Sequence, residues 1–399
     1  MKNKLWQVGD VRLQKLVEAY TVAGDYALDQ ILLPYDIKAS KAHADMLHSI
    51  GVLTLAEADK LTSALDDLLK LWEEGKFRVK KEQEDGHTAI EAYLTEKLGD
   101  VGKKIHTGRS RNDQSLAMTR LYLKDALSEV NVIAEGLVKT LNEAATKAGD
   151  TPMPGYTHTQ KAMPTTVATW LGSYADAFAD VQKLIESTRD IIDQNPLGSA
   201  AGFGVSLPLD RDKTTKALGF KKTQTNPMYC GLSRGLFELL AVQTLNPLMI
   251  LSGKFAQDMI LFTAQEFDLF GLSDSFTTGS SIMPQKHNYD LFEIMRATAN
   301  TFGSHVQQLQ SIVAGVGSGY HRDLQLTKTI AYSAFSSTKN TLELLGLAVA
   351  NLQLHKDKLK AAITPEMLSV VEINKLVDQG IPFRDAYQQV KAKLEKKKN

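Results

Sequence analysis

The chain has 399 residues, 43% of them hydrophobic and 23% charged, with 46 Lys and Arg against 46 Asp and Glu, nine His and one Cys. Zero net charge excludes a nucleic-acid-coating protein, which needs surplus cations to displace counterions from phosphates, and the lone Cys230 excludes an internal disulfide, CxxC zinc sites and iron–sulfur ligation. No signal-peptide core follows Met1-Lys2-Asn3-Lys4-Leu5-Trp6 and no run of about 18 apolar residues is read, so a soluble cytoplasmic protein of two or three domains, or one long helical body with appendages, is expected.

In chain order, Phe77 to Lys80 is the best strand candidate, and no sheet of consequence is expected. From Leu123 the apolar positions Leu127, Val130, Ile133, Leu137, Leu141 and Ala145 recur at three and four, which puts them on one face of a helix. That helix starts at Asn112 or Asp113, both good caps, and stops at Gly149 before Pro152. A second helix begins near Thr165 or Thr166 and carries Trp170, Tyr174, Ala177, Val181, Leu184 and Ile191. A third runs from Met228 to Phe270 with a kink at Pro247. A fourth follows Asp290 through Phe292, Met295, Ala299, Phe302, Val306, Leu309 and Val313. A fifth spans Asp323 to Leu354 through Ile330, Ala334, Leu342, Leu345 and Ala348, and the Lys391 to Lys398 run reads as a solvated, frayed end. Helices of about 30 to 45 residues are far longer than the roughly 12-residue average. A single five-helix layer cannot bury them, so homo-oligomerisation by coiled-coil-like packing is expected.

The chemistry is expected between the helices, where Gly, Ser, Thr, His and Asn collect. His106-Thr107-Gly108-Arg109-Ser110-Arg111-Asn112-Asp113-Gln114 joins exposed backbone N–H groups at a helix start to hydroxyl, amide and guanidinium donors, which together suit an anion. Pro154-Gly155-Tyr156-Thr157-His158-Thr159-Gln160 places an imidazole, able to exchange protons near neutral pH, in a loop beside two threonines. The run from Thr277 to Asn288 holds Gly279, Ser280, Ser281, Lys286 and His287 and reads as a mobile loop with a nucleophile or base and a cation for a carboxylate. Glu293, five residues after Asn288, is placed to orient a histidine or raise its basicity. Capped helix starts, a flexible connector and a solvated Glu are the bland readings of the same residues. Gly315 to Gly319 and Gly202-Phe203-Gly204 follow no strand of a nucleotide-binding unit, and His43 and His48 are five apart rather than the four of a helical zinc pair. No metal and no cofactor are implied.

Together these loops resemble the three signature regions of the fumarase/aspartase superfamily and, within it, the argininosuccinate lyases. The run His106 to Gln114 is similar to that family's own first region, and Gly279 to Lys286 with Asn288 is similar to a region shared across the superfamily. Further similarities are Asp36-Ile37 with Ser40, Ala42 and His43; Glu84-Asp85 with His87 and Glu91; Asn195 to Gly202 with Asp210-Arg211; Tyr320 and Arg322 to Gln325 with Lys328; and Gly380 to Ala386. They cover nearly the whole chain.

The resemblance implies an all-α, three-domain lyase fold: an N-terminal helical domain over residues 1–105, a central long-helix bundle over 106–354 and a short C-terminal helical domain over 355–399. In the family the central domains build a twenty-helix core of a homotetramer, and each active site takes loops from three subunits. The implied reaction is the reversible cleavage of argininosuccinate to arginine and fumarate, with no nucleic-acid or membrane partner. A proton leaves the carbon next to a carboxylate, and donors must grip that carboxylate harder as its charge grows. By match of motif those donors are Ser110, Asn112, Thr157, Lys286 and Asn288, with Arg111 among the cations gathered for a dicarboxylate. Ser280 and His158 are the proton-transfer pair, with Glu293 supporting the histidine. Either one can be the base. Tyr320, Gln325 and Lys328 are similar to the contacts of the arginine end, and Asp25, His87, Arg211 and Thr278 are further candidates. Two other readings remain: a different fumarate-releasing lyase, such as an adenylosuccinate lyase or aspartase-like enzyme, and a crystallin-like structural protein.

The sequence departs from the family pattern in places. Trp6-Gln7-Val8-Gly9-Asp10 replaces the usual start, Asp25 stands where a substrate-contacting Ser is usual, and His287 and Tyr289 stand where Lys and Pro are usual. Leu326-Thr327 replaces an acidic pair, and the chain is shorter than most members, mainly toward its C-terminal end.

Overall fold

Local signals set most of the helix ends in the computed structural model, which describes residues 14–22 and 24–398. The departures at Trp6 to Asp10 lie outside the described residues. Helix α1 (Lys15–Val22) precedes α2 (Asp25–Ser49) and α3 (Leu55–Glu73). A capping box starts α3: Thr54 N–H donates to Glu57 Oε2 at 3.0 Å and Glu57 N–H to Thr54 Oγ1 at 3.3 Å. Asp85 caps α4 (Gly86–Leu98) by accepting the Thr88 N–H at 2.8 Å, and α5 (Asp100–Lys103) follows. Leu33, Ile37, Leu47, Leu61, Leu65, Ile90 and Leu94 form the core of these helices.

The five long helices are α6 (Arg111–Ala148), α7 (Val167–Ile192), α10 (Leu236–Phe262), α11 (Asp290–Ala314) and α12 (Thr327–Ala350), with the short α8 (Arg211–Leu218) and α9 (Pro227–Leu232) between α7 and α10. They have 38, 26, 27, 25 and 24 residues, so four are shorter than expected. Capping of α6 falls to Ser110 rather than Asn112 or Asp113: its Oγ accepts the Asn112 N–H at 3.2 Å, while Asp113 reaches back to the Ser110 N–H at 2.9 Å. The stripe Leu123, Leu127, Val130, Leu137 and Leu141 is buried as expected. On α7 the buried stripe is instead Val167, Leu171, Ala175, Phe178, Ile185 and Ile192, and the expected Leu184 and Ile191 are each 45% exposed. Both faces of α7 carry apolar residues, so periodicity alone could not choose between them.

The expected third helix is two. Gly235, at φ +76°, separates α9 from α10, and a Cβ there would come within 2.8 Å of Val313 Cγ2. Helix α10 ends at Phe262, and Phe270 instead begins the two-residue strand Phe270–Gly271, paired with Gln353–Leu354. Among the described residues α10 alone is long and apolar enough to cross a membrane, but polar and charged residues interrupt it and 61% of its most apolar window is buried inside the chain.

Among the described residues, strand content is limited to three two-stranded pieces. Phe77 to Lys80 is not among them, because Gln30 takes the place of a partner strand: its Nε2 donates to Phe77 O at 3.3 Å and its Oε1 accepts the Val79 N–H at 2.7 Å. The largest piece occupies the expected loop around His158: β1 (Pro152–Thr157) and β2 (Gln160–Thr166) form an antiparallel hairpin. After α13 (Lys356–Ala361) and α14 (Ser369–Asp378), the chain ends in α15 (Phe383–Lys398), so the basic run is helical rather than frayed, with Lys393 bonded to Glu372 at 2.8 Å. The fold is all-α with hairpin trimmings.

The chain divides into two compact units, one of Met1–Asn131, Lys183–Asn246 and Phe302–Ser337, the other of Val132–Gln182, Pro247–Thr301 and Thr338–Asn399.

Candidate active site

The first unit holds a cavity of about 520 Å³ whose wall includes Asp25, His87, Arg111, Asn112, Tyr320, Gln325 and Lys328, seven of the residues singled out from sequence. Lys328 is buried and clamped between two carboxylates, Nζ lying 2.9 Å from Asp25 Oδ1 and 2.8 Å from Asp29 Oδ1. Burial opposes its charge, but the two aspartates outweigh burial and raise its pKa. Burial raises the Asp25 carboxyl despite Lys328. Asp29 is more deeply buried, yet Lys328, His87 and the Gly86 N–H at 3.0 Å hold it below the ordinary range.

Beside them His87 Nδ1 lies 2.5 Å from Asp36 Oδ2, while His87 Nε2 has no partner. Burial would lower this imidazole's pKa, and the Asp36 charge reverses that and raises it. Arg111 donates to Thr88 Oγ1 at 2.7 Å and lies 3.4 Å from Glu84 and 3.5 Å from Asp85. Gln325 reaches the carbonyls of Thr21 and Val22 at 3.3 and 3.4 Å, tying α1 to the cavity wall. His43 sits behind the wall, donating from Nε2 to Thr107 O at 2.9 Å; burial and the nearby Arg109 push its pKa down to about 3.

Ser110 caps α6 and does not line the cavity. Its neighbour Asp113 is fully buried, accepting the N–H groups of Ser110, Gly198 and Ala200 at 2.9 Å each. Arg211 is committed elsewhere: it donates to the carbonyls of Leu197 at 2.9 Å and Gln224 at 2.8 Å, with its side chain packed against Gly198. Among the cavity residues that the sequence did not mark, two are charged, Asp29 and Arg234. Asp29 was detectable as the i+4 partner of Asp25 on one helix face; Arg234 carried no signal beyond standing next to Gly235.

The other candidates belong to the second unit. Thr157 pairs with Gln160, so His158 and Thr159 are the two turn residues of a hairpin, at φ +53° and +59°, which is type I′ geometry. Asn-Gly is the usual occupant of such a turn. A β-branched threonine there is held against its own preference. Tyr156, packed against Phe267 at 5.9 Å and Phe262 at 6.2 Å, roots the hairpin.

The Thr277 to Asn288 loop is pinched at its stem, where Thr278 and Asn288 exchange backbone hydrogen bonds at 3.0 and 2.9 Å and Thr278 Oγ1 donates to Asp290 at 2.8 Å. Inside it, Ser280 Oγ accepts the backbone N–H of Met283 at 3.2 Å and of Ile282 at 3.4 Å. Donors aimed at a hydroxyl oxygen stabilise it as an alkoxide. Lys286 is exposed in the same loop, Glu293 is exposed in the first turn of α11, and His287 lies 3.8 Å from Asp274. Tyr289 anchors the stem through Leu272, whose N–H reaches its hydroxyl at 3.2 Å. No group of three His, Cys, Asp or Glu side chains that could hold a metal occurs among the described residues.

Residues 11–302 match a family of lyases. The argininosuccinate lyase of Thermotoga neapolitana is 43% identical over 399 residues, all of both chains, and that of Sorangium cellulosum is 43% identical over 394 residues, 99% of this chain and 91% of the relative. Among solved structures, EDDS lyase in complex with formate overlays with a TM-score of 0.80 at 24% identity, covering 96% of this chain and 76% of that one. A class II fumarase from Schistosoma mansoni does so with 0.78 at 15%, covering 96% and 93%. At those identities the structures speak to the fold alone, whereas the sequence relatives run the full length. The chain belongs to the argininosuccinate lyase family and is thus a carbon–nitrogen lyase.

Proposed function

We propose that this protein cleaves argininosuccinate reversibly to L-arginine and fumarate, as a cytoplasmic step of arginine biosynthesis. The observation that carries this reading is the cavity of the first unit, where Arg111 and Asn112 from the first signature run share one wall with Tyr320, Gln325 and Lys328. In the forward direction a base removes a proton from the succinyl carbon next to a carboxylate, whose charge grows toward a dianion. The bond to the guanidino nitrogen then breaks, and that nitrogen takes a proton. Asn112, Ser110, Thr157, Lys286 and Asn288 grip the growing charge, each well-placed donor contributing about 3 kcal/mol to the rate.

Ser280 is the favoured base, supported by the two backbone N–H groups directed at its Oγ. His158, with Glu293 behind it, gives up a proton of its own to the departing nitrogen, directly or through water, and its position at an exposed hairpin tip suits a group offered outward. The protein is proposed to work as a homotetramer with shared sites, built on the three-domain division at residues 105 and 354. Support comes from apolar side chains left bare on the long helices: Val132 is 66% exposed, Ile250 48%, Ile294 68% and Leu347 54%.

The test is to follow fumarate absorbance after mixing purified protein with argininosuccinate. Release of fumarate is expected, and none with this substrate but turnover of another succinyl adduct overturns the assignment. Ser280→Ala and His158→Asn are each expected to lower the rate by orders of magnitude without changing the oligomer seen in gel filtration.

A further inference from the structure

Every other cation on the cavity wall is exposed or already engaged by carboxylates, but Arg234 is neither. Lys328 is held by Asp25 and Asp29, Arg111 by Glu84 and Asp85, and Arg322 is exposed with Nε on Gln325 Oε1 at 3.2 Å. Arg234 is only 7% exposed and, among the described residues, forms no ion pair. Its Nη2 donates to Ser115 Oγ at 3.3 Å, its Nη1 has no partner, and its guanidinium lies 4.4 Å over the Tyr320 ring. A buried guanidinium with a spare donor and no counter-charge is costly unless an anion completes it. The geometry around it is fixed, since the ring of Tyr320 and the hydroxyl of Ser115 leave the plane little freedom.

We infer that Arg234 is the receptor for a substrate carboxylate, specifically the α-carboxylate of the arginine half. This rests on the argininosuccinate reading above. The charge pattern on the wall decides which carboxylate. Asp25 and Asp29 together carry two negative charges against the single positive charge of Lys328. That corner therefore has one negative charge left over and suits an α-ammonium, not an anion. Arg234 offers the opposite charge on the same cavity. An amino acid is a zwitterion, and the two corners match its two ends. The planar guanidinium also suits a carboxylate, which it can hold with parallel N–H bonds.

Calorimetric titration of the full-length protein with L-arginine and with agmatine, which lacks only the α-carboxylate, tests the assignment. The wild-type protein is expected to prefer arginine by about 30-fold or more, the usual loss when one partner of a buried charged pair is removed. Arg234→Gln is expected to bring the two affinities within about threefold of each other by weakening arginine while leaving agmatine unchanged. The ratio is the readout because damage to the fold weakens both ligands alike. If Arg234→Gln does not fold, Arg234→Lys, which keeps the charge but loses the planar fork, is expected to cut the preference about fivefold. A preference for arginine that persists unchanged in the folded variant overturns this inference alone, as does a wild-type protein that binds arginine no better than agmatine but still cleaves argininosuccinate. A protein that binds neither ligand and releases no fumarate overturns the functional reading and this inference with it.

Discussion

His87, on the wall of the cavity, and Asp36, fully buried behind it, lie with Nδ1 and Oδ2 2.5 Å apart as an ion pair. Asp36 holds the imidazole above its ordinary value of 6.5, so the folded state retains a proton that the unfolded chain gives up first. The contribution is fully present below about pH 6.5 and fades as pH rises through the raised value of the folded state. Denaturant unfolding of His87→Gln against the parent is therefore expected to show a loss of about 3 kcal/mol near pH 5.5 that shrinks on the alkaline side. A difference that grows with pH would contradict the pairing.

The two aspartates on Lys328 are expected to differ in importance. Asp29 also accepts the Gly86 N–H, so Asp29→Asn weakens both the counter-charge of a buried ammonium and the start of α4. Its loss is expected to cost about 3 kcal/mol in thermal or denaturant unfolding. Asp25→Ser, which installs the residue usual in the family, leaves the Asp29 contact intact and is expected to cost under about 1 kcal/mol. Equal losses would mean that the two carboxylates share the charge evenly.

At the hairpin tip Thr159 is a β-branched residue in the left-handed region, where glycine is favoured. Thr159→Gly is expected to raise stability by about 1 kcal/mol, read as a higher melting temperature, because relief of strain exceeds the added freedom of the unfolded chain. Activity should hold, since His158 keeps its place. A lower melting temperature would show that Thr159 makes a favourable contact that outweighs its backbone strain.

Gly235 has no room for a side chain. A methyl group there would sit 2.8 Å from Val313 Cγ2 and 3.0 Å from Leu324 Cδ2 at a φ that L-residues rarely adopt. Gly235→Ala is expected to lose about 2 kcal/mol or more in unfolding experiments and to weaken substrate binding, because the neighbouring residue is Arg234. A neutral effect would place the break between α9 and α10 elsewhere.

The helical bundle was legible because its periodicity is strong where one face alone is apolar, as on α6 from Leu123 to Leu141. It misled on α7, where Leu184 and Ile191 offered a second apolar face that the single chain leaves open. The hairpin was hidden because Pro154, Pro164 and Gly155 look like loop residues, and His158-Thr159 is not the dipeptide that announces a type I′ turn. The candidate residues around the cavity were legible by motif. What motif could not show was which candidates are already occupied, Lys328 by two carboxylates and Arg211 by backbone carbonyls, or that Arg234, which no motif marked, has a donor to spare.

Asp113 binds Ser110 with one oxygen and the Gly198 and Ala200 amides, 85 and 87 residues away, with the other. One carboxylate thus splices two distant loops into a single part. Chimaeras that join two family members anywhere between residues 113 and 198 will inherit the two halves of this splice from different parents. They should tolerate the exchange only when both parents shape the Asn195 to Gly202 loop alike, so productive crossovers are expected to fall before Ser110 or after Gly202.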